Sequence, residues 1–250
     1  MNSKPDRKRL DTLLVERGLA ASLQKAQATI LAGEVFVNGH PVNKAGTPVS
    51  VDARLELKSR HLKFASRGGL KLEGALEVLA VSPAGQICLD IGASNGGFTD
   101  CLLQLGAARV YAVDVNVAQL DWKLQKDPRV TAIERNAREL VPEDLPESVD
   151  LVVIDVSFIS VCKILSPASH CAKAAADYLI LIKPQFELRR DEIGEGGIVQ
   201  DVRLHEKAIA RVQKAAEAAG LSCVKVCPSR LTGAEGNQEY FLHARKGVLK

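Results

Sequence analysis

The chain has 250 residues, 25% charged and 46% hydrophobic, with 33 Lys and Arg against 30 Asp and Glu. That length suits one large domain plus a small one in an ordinary globular composition, and no apolar run approaches the ~18 residues of a membrane helix. The charged opening MNSKPDRKRLD lacks the apolar core of a signal peptide. Six scattered cysteines (88, 101, 162, 171, 223, 227) without a C-x-x-C pair read as reduced core thiols, so the expected compartment is the cytoplasm.

Charge is unevenly spread. Residues 1–70 hold 12 Lys/Arg and 6 Asp/Glu, a net of +6, and residues 71–250 hold 21 and 24, a net of −3. Such asymmetry hints at a nucleic-acid-binding module joined to something else, although a charged face is often only solvated. Leu10, Leu13, Leu14 and Val15 predict a short helix stopping at Gly18. Ser22 is a candidate N-cap for a second, which carries Ala26, Ile30 and Leu31 and ends near Gly33. VFVNGHPV then predicts two short strands about an Asn-Gly turn. So small a core leaves surface rather than an interior for function. Arg7, Lys8, Arg9, Arg17 and Lys25 lie on or beside the helical part as candidate RNA contacts. RLDTLLVERGLAAS followed by AGEVFVNGHPV resembles the S4 RNA-binding fold; a small protein-docking domain is the alternative. In the S4 family a basic residue commonly follows the capping serine, and here Leu23 stands there, so that phosphate contact is missing or comes from Lys25. KSRHLKFASRGGL (58–70) reads as a basic linker with a Gly-Gly pivot, carrying Arg67 as a further RNA candidate. The expected boundaries are 1–60 for the first domain, 61–70 for the linker and 71–250 for the second domain.

The second domain opens on a helix pattern (Leu72, Ala75, Leu76, Leu79) and then repeats one phrase, an apolar run ending in a polar residue before a helix-like stretch. QICLD ends at Asp90, VYAVD at Asp114, TAIERN near Asn136, LVVID at Asp155 and YLILIK at Lys183. Alternating strands and helices predict an α/β fold with a parallel sheet covered on both faces. Ligands of such sheets bind outside the carboxyl ends of the strands, so these polar residues are expected around one crevice. An aspartate after a strand can also simply cap the next helix.

LDIGASNGGFTD (89–100) supplies the first turn. Its glycines, Gly92, Gly96 and Gly97, miss the G-x-G-x-x-G fingerprint, and no G-x-x-x-x-G-K-[ST] loop is present. Asp114, 24 residues after Asp90, is placed to accept both ribose hydroxyls of an adenosine, a device shared by NAD and S-adenosylmethionine enzymes. Asp90 beside the turn disfavours a pyrophosphate and suits the cationic amino group and sulfonium of S-adenosylmethionine. No metal is expected, because the five histidines show no ligand spacing. Lys183 with Asp155, and Lys71 with Glu239, are the candidate reactive pairs. Residue types and spacing leave open whether they activate a hydroxyl nucleophile or are two structural ion pairs. FELRRDEIGEGGIVQDVRLHE (186–206), with Arg189 and Arg190, reads either as a mobile flap that orders on RNA or as a surface loop. Cys223 and Cys227, four apart in LSCVKVCP, are expected on one face of a strand. Trp122 is expected near the adenine side or in packing.

SRGGLKL, LDIGASNGGFTD, LVVIDVSFIS, LIKPQFE and GNQEYFL, in that order, resemble the TlyA or haemolysin A family of ribosomal-RNA 2′-O-methyltransferases. The resemblance covers nearly the whole chain. It implies a Rossmann-like S-adenosylmethionine-dependent methyltransferase fold of the FtsJ-like kind, with a small N-terminal α+β S4-like domain. It implies a catalytic set of Lys71, Asp155, Lys183 and Glu239, with Lys183 accepting the proton of an RNA 2′-hydroxyl. The cofactor loop maps onto Asp90, Gly92, Ala93, Ser94, Gly96, Gly97 and Phe98, with Asp114 for the ribose and Asn136 near the adenine. The implied substrate is a cytidine ribose of ribosomal RNA within a ribosomal subunit. Three rival readings are a non-catalytic RNA-binding protein on a relic methyltransferase fold, an NAD-dependent oxidoreductase and a haemolysin. The modest net charge of +3 favours RNA recognition by shape and a local basic patch, with salt-sensitive affinity.

Overall fold

The computed structural model describes residues 6–31, 33–57, 63–233 and 235–247, with Glu195 described by its backbone alone. The chain folds as two compact units, Met1–His61 and Leu62–Lys250. Residues 58–62 of the expected linker lie outside the described residues, as does the start of the charged N-terminal stretch.

The smaller unit runs β1 (Arg7–Arg9), α1 (Leu10–Glu16), α2 (Leu23–Leu31), β2 (Val35–Val37), β3 (His40–Pro41), β4 (Pro48–Ser50) and β5 (Leu55–Leu57). Leu10, Leu13 and Leu14 recur at helical spacing and bury against Ala26 and Ile30 of α2 and Val35 and Val49 of the strands. The Ser22 hydroxyl accepts from the Lys25 N–H at 3.2 Å, as its capping position predicts. Between β2 and β3, Asn38 and Gly39 both take positive φ (51° and 83°), the requirement of a type I′ hairpin turn. Asp11 is wholly buried. It accepts from the Arg9 guanidinium at 2.6 Å and from Gln27 at 3.2 Å, and the Arg9 bond chiefly holds its carboxyl down at about 2.

The larger unit opens with α3 (Arg67–Leu79), then β6 (Ile87–Ile91), α4 (Gly97–Gln104), β7 (Arg109–Asp114), α5 (Trp122–Gln125), β8 (Val130–Glu134) and β9 (Val149–Ile154). It continues with α6 (Leu165–His170), β10 (Ala172–Ile182), α7 (Pro184–Glu187), α8 (Val202–Ala218), β11 (Leu221–Pro228) and β12 (Tyr240–Lys246). The expected linker residues Arg67–Leu70 are the first turn of α3. The Ser66 hydroxyl caps that turn from outside by accepting the Gly68 N–H, and a Cβ on Gly69 would overlap the buried Phe64 ring. The Gly-Gly step is therefore a close-packing site rather than a pivot.

Among the described residues the strands form a seven-stranded sheet in the order β11-β12-β10-β9-β6-β7-β8. β6 to β10 run parallel to one another, and β12 runs antiparallel between β10 and β11. Continuous apolar runs such as Leu151–Ile154 and Tyr178–Ile182 are buried on both faces, as a covered parallel sheet demands. One face packs on α6 and α8 (Leu165, Ala168, Val212, Ala216), the other on α3 and α4 (Leu72, Ala75, Leu76, Leu102). β6 pairs with both β7 and β9, so the order reverses there, and a crevice opens beyond the strands' carboxyl ends. The strand register slips between Cys223 and Lys225, and this bulge sends Cys223 and Cys227 to opposite faces of β11, against the simple four-residue alternation. No described helix is long and apolar enough to cross a membrane.

Candidate active site

Two clefts meet at the carboxyl edge of the sheet. The wider, about 550 Å³, is lined by Gly92, Ser94, Asp114, Val115, Asn136 and Ile159 among others. The narrower, about 250 Å³, is lined by Arg67, Lys71, Gly97, Phe98, Lys183 and Thr232 among others. Gly92, Ser94, Asp155 and Ser157 border both, so the clefts form one trough over β6, β9 and β10.

The turn after β6 is shaped by steric demands. Gly92 has φ +86°, and a Cβ there would overlap the Asp155 carbonyl oxygen; one on Gly97 would overlap the Ser66 hydroxyl. Ser94 takes φ +48° and gives its N–H to Asp114 Oδ2 at 2.9 Å. Asp114 Oδ1 accepts from the Asn116 N–H at 3.0 Å, which fixes the carboxylate at the cleft wall. Asn136 also lines the wider cleft, and its side chain caps the following turn through the Arg138 N–H at 3.1 Å.

Two of the predicted cofactor residues lie away from these walls. Asp90 is the fourth of five strand residues, so it points sideways from the sheet and is fully buried. Its Oδ2 accepts the Thr99 hydroxyl of α4 at 2.6 Å, Oδ1 has no hydrogen-bond partner among the described residues, and desolvation pushes the carboxyl up to about 7. It braces the turn from beneath rather than facing the cleft. Gly96 (φ +90°) packs against Leu120 and Leu124.

The four candidate reactive residues converge. β9 and β10 are neighbours in register, Ile154 opposite Ile180, which brings Asp155 and Lys183 together. Ile182 pairs with Tyr240, so Glu239 enters the same edge from the opposite direction. Pro184 at the first position of α7 fixes the backbone behind Lys183. Lys183 Nζ lies 2.6 Å from Asp155 Oδ1, an ion pair lacking hydrogen-bond alignment, and donates an aligned bond to Ser157 Oγ at 2.8 Å. Lys71 Nζ donates to Glu239 Oε2 at 2.6 Å, with both side chains nearly buried.

Ser157, Phe158 and Glu187 also belong to this region, although the sequence patterns did not mark them as functional. Phe158 is 88% exposed at φ +68°, a conformation bulky residues seldom adopt, and its ring lies 5.5 Å from that of Phe186. Buried Glu187 accepts from the Ser160 hydroxyl at 2.5 Å and the Val161 N–H at 2.7 Å, tying the end of α7 to the loop after β9. An aromatic just beyond a strand-end acid was the available signal.

The predicted RNA cations separate into two groups. Lys8 pairs with Glu16 at 2.9 Å, Arg9 with Asp11, Arg189 with Asp191 at 3.1 Å, and Arg17 donates to the Val51 and Ala53 carbonyls. Arg7, Lys25, Arg67 and Arg190 are exposed without a side-chain partner among the described residues. Segment 186–206 is tied down in its middle. Asn237 accepts from the Val199 N–H at 2.8 Å and donates to the Gly197 carbonyl at 2.9 Å, and α8 begins at Val202. Trp122 is 61% exposed, with Lys126 Nζ 5.1 Å from its ring centroid, and does not line the wider cleft.

This sheet order, with an antiparallel strand inserted beside a parallel set and a trough at the β6 switch point, defines a Rossmann-like methyltransferase. An FtsJ-like methyltransferase profile matches residues 64–246, and an S4 domain profile matches residues 8–55. The 16S/23S rRNA (cytidine-2′-O)-methyltransferase TlyA of Mycobacterium tuberculosis is 46% identical over 241 residues, 96% of this chain and 90% of that protein. Hemolysin A of Brachyspira hyodysenteriae is 41% identical over 237 residues, 94% of this chain and 98% of its own. A solved structure of a hemolysin-named protein from Streptococcus thermophilus superposes with a TM-score of 0.75 at 39% identity, covering 98% of this chain and 90% of that one. The chain belongs to the FtsJ-like methyltransferase family, in its S4-containing TlyA or haemolysin A branch.

Proposed function

We propose that this protein transfers a methyl group from S-adenosylmethionine to the 2′-hydroxyl of a cytidine ribose in ribosomal RNA, presented within a ribosomal subunit in the cytoplasm. The observation that carries the reading is Lys183, its amino group held by Asp155 and Ser157 where the two clefts meet. The wider cleft suits the cofactor: its volume falls within the range of small-molecule sites, about 300–1,000 Å³, and Asp114 stands at its wall with both oxygens oriented by backbone N–H groups. Gly92 and Ser94 would border the cofactor, with Ala93, Gly97 and Phe98 on the narrow-cleft side of the same turn; Asp114 would accept its ribose hydroxyls and Asn136 would flank its adenine. Asp90 and Gly96 support that turn from behind.

Bound S-adenosylmethionine supplies a methyl group activated as a sulfonium. A ribose hydroxyl is a weak nucleophile and must lose its proton as its oxygen bonds to carbon. Lys183, in its neutral form, takes that proton at Nζ. Asp155 then faces the ammonium so formed, and solvent removes the proton when product leaves. Lys71, braced from behind by Glu239, closes the other wall of the narrow cleft and positions the ribose. Of the expected RNA contacts, Arg7, Lys25, Arg67 and Arg190 are those free among the described residues to meet phosphate, and binding through them weakens with salt.

The test supplies labelled S-adenosylmethionine to unmodified 30S and 50S subunits, with Lys183→Met as control. Label in RNA that disappears in the control supports the reading. Undiminished label in the control removes Lys183 as the base, and absence of label with cofactor bound would turn attention to a non-catalytic RNA-binding role.

A further inference from the structure

We propose that Ser157 is a positioning residue for the base: its hydroxyl orients the Lys183 amine so that the lone pair points at the substrate hydroxyl. The inference rests on the reading of Lys183 as base.

The argument is stereochemical. Nζ has three tetrahedral directions besides its bond to Cε, and rotation about that bond interchanges them freely unless partners fix them. A neutral lysine fills two with hydrogens and one with the lone pair, and only the lone pair accepts a proton. Asp155 Oδ1 at 2.6 Å and Ser157 Oγ at 2.8 Å are both acceptors for those hydrogens. The aligned bond to Ser157 takes one hydrogen and the nearby Asp155 carboxylate draws the second to its side, which leaves the lone pair on the third direction. Asp155 alone cannot impose this, because its contact lacks hydrogen-bond alignment; the aligned bond is the one to Ser157.

The surroundings hold Ser157 in place. It borders both clefts, so its hydroxyl stands where cofactor and acceptor would meet. The next residue, Phe158, takes φ +68° with its ring turned outward to 88% exposure. Such strain persists only where neighbours over-determine the backbone, and it concentrates at functional sites. Three residues on, Glu187 grips Ser160 and Val161 from the end of the helix that Lys183 precedes, so amine and hydroxyl share one clamp. The charged groups around Lys183 are Asp155 on the β9 side, Lys71 and Arg67 on α3, and Glu239 before β12. None of these is an alternative aligned acceptor for Nζ.

Ser157 is itself exposed, so Ser157→Ala should fold as the parent does. The expected result is a kcat lower by on the order of tenfold to a hundredfold, with KM for subunit and cofactor nearly unchanged. Ser157→Thr, which keeps an oxygen at the same place, should restore most of the rate. A Ser157→Ala enzyme with parental kcat, while Lys183→Met is inactive, overturns the positioning role and leaves the base reading intact. A change confined to KM overturns it too, by making Ser157 a substrate contact. An active Lys183→Met enzyme overturns both readings together.

Discussion

Replacing Asp90 with asparagine should remove a pH dependence of folding that the parent protein shows between mildly acidic and neutral conditions. The carboxyl is completely buried, makes one hydrogen bond, to Thr99, and is pushed by desolvation from its ordinary 3.8 up to about 7. Below the ordinary value both folded and unfolded chains hold the proton, and above about 7 neither does. Between these limits the folded chain keeps a proton that the unfolded chain has lost, so stability falls as pH rises. The slope from this one group is ~1.4 kcal/mol per pH unit, on the order of 4 kcal/mol across the window. Carboxylates held low in the folded state, Asp11 at about 2 together with Asp127, Asp150, Glu192 and Asp201, act in the opposite sense, but at more acid pH. Urea unfolding of parent and Asp90→Asn should be followed at several pH values between about 4.5 and 7.5. The single tryptophan, Trp122 in α5, reports on the larger unit. The difference between the two proteins cancels the other titrating groups. Parallel profiles would refute the reasoning, because they would mean that the carboxyl ionises normally in the fold.

Three further substitutions separate packing from recognition. Gly92→Ala places a Cβ against the Asp155 carbonyl at a φ of +86°, so urea unfolding should show a loss of about 2–4 kcal/mol, and the shift of Asp155 should cost activity as well. Arg17→Ala should lower the stability of the S4 unit by about 1–3 kcal/mol, since its guanidinium serves the Val51 and Ala53 carbonyls. Lys25→Ala should leave stability within about 0.5 kcal/mol and instead lower RNA affinity, reducing the salt slope of binding by about one. Equal stability losses in Arg17→Ala and Lys25→Ala would remove that distinction.

What the sequence made legible were features fixed by local chemistry. Asn38-Gly39 could form one kind of tight turn, and the buried runs ending at Asp114, Asp155 and Lys183 put polar groups on one edge once the strands were parallel. What it concealed depended on direction. Asp90 looks like the last residue of its strand, but the strand runs through Ile91, and the alternation turns Asp90 toward Thr99 instead of the cleft. Cys223 and Cys227 share a face only if β11 is regular, and the bulge breaks that parity. Arg17 has the composition of an RNA contact and the geometry of a brace, because a basic residue type carries no information about which carbonyls fold back beside it.

The same geometry bears on whether the four reactive candidates are merely two structural ion pairs. Lys71 and Glu239 behave as such a pair would: aligned, nearly buried and joining segments 168 residues apart. Removing one partner of a pair like this strands a charge and costs several kcal/mol, so it stabilises the wall whatever else it does. Lys183 and Asp155 differ in kind. Their contact is close but misaligned, Asp155 keeps about a fifth of its side chain exposed, and the lysine spends its aligned bond on a serine open to the cleft. A purely structural pair gains nothing from that arrangement, since misalignment forfeits hydrogen-bond energy and exposure screens the charge. A lysine that must alternate between ammonium and amine needs an acid near enough to stabilise the one without locking out the other.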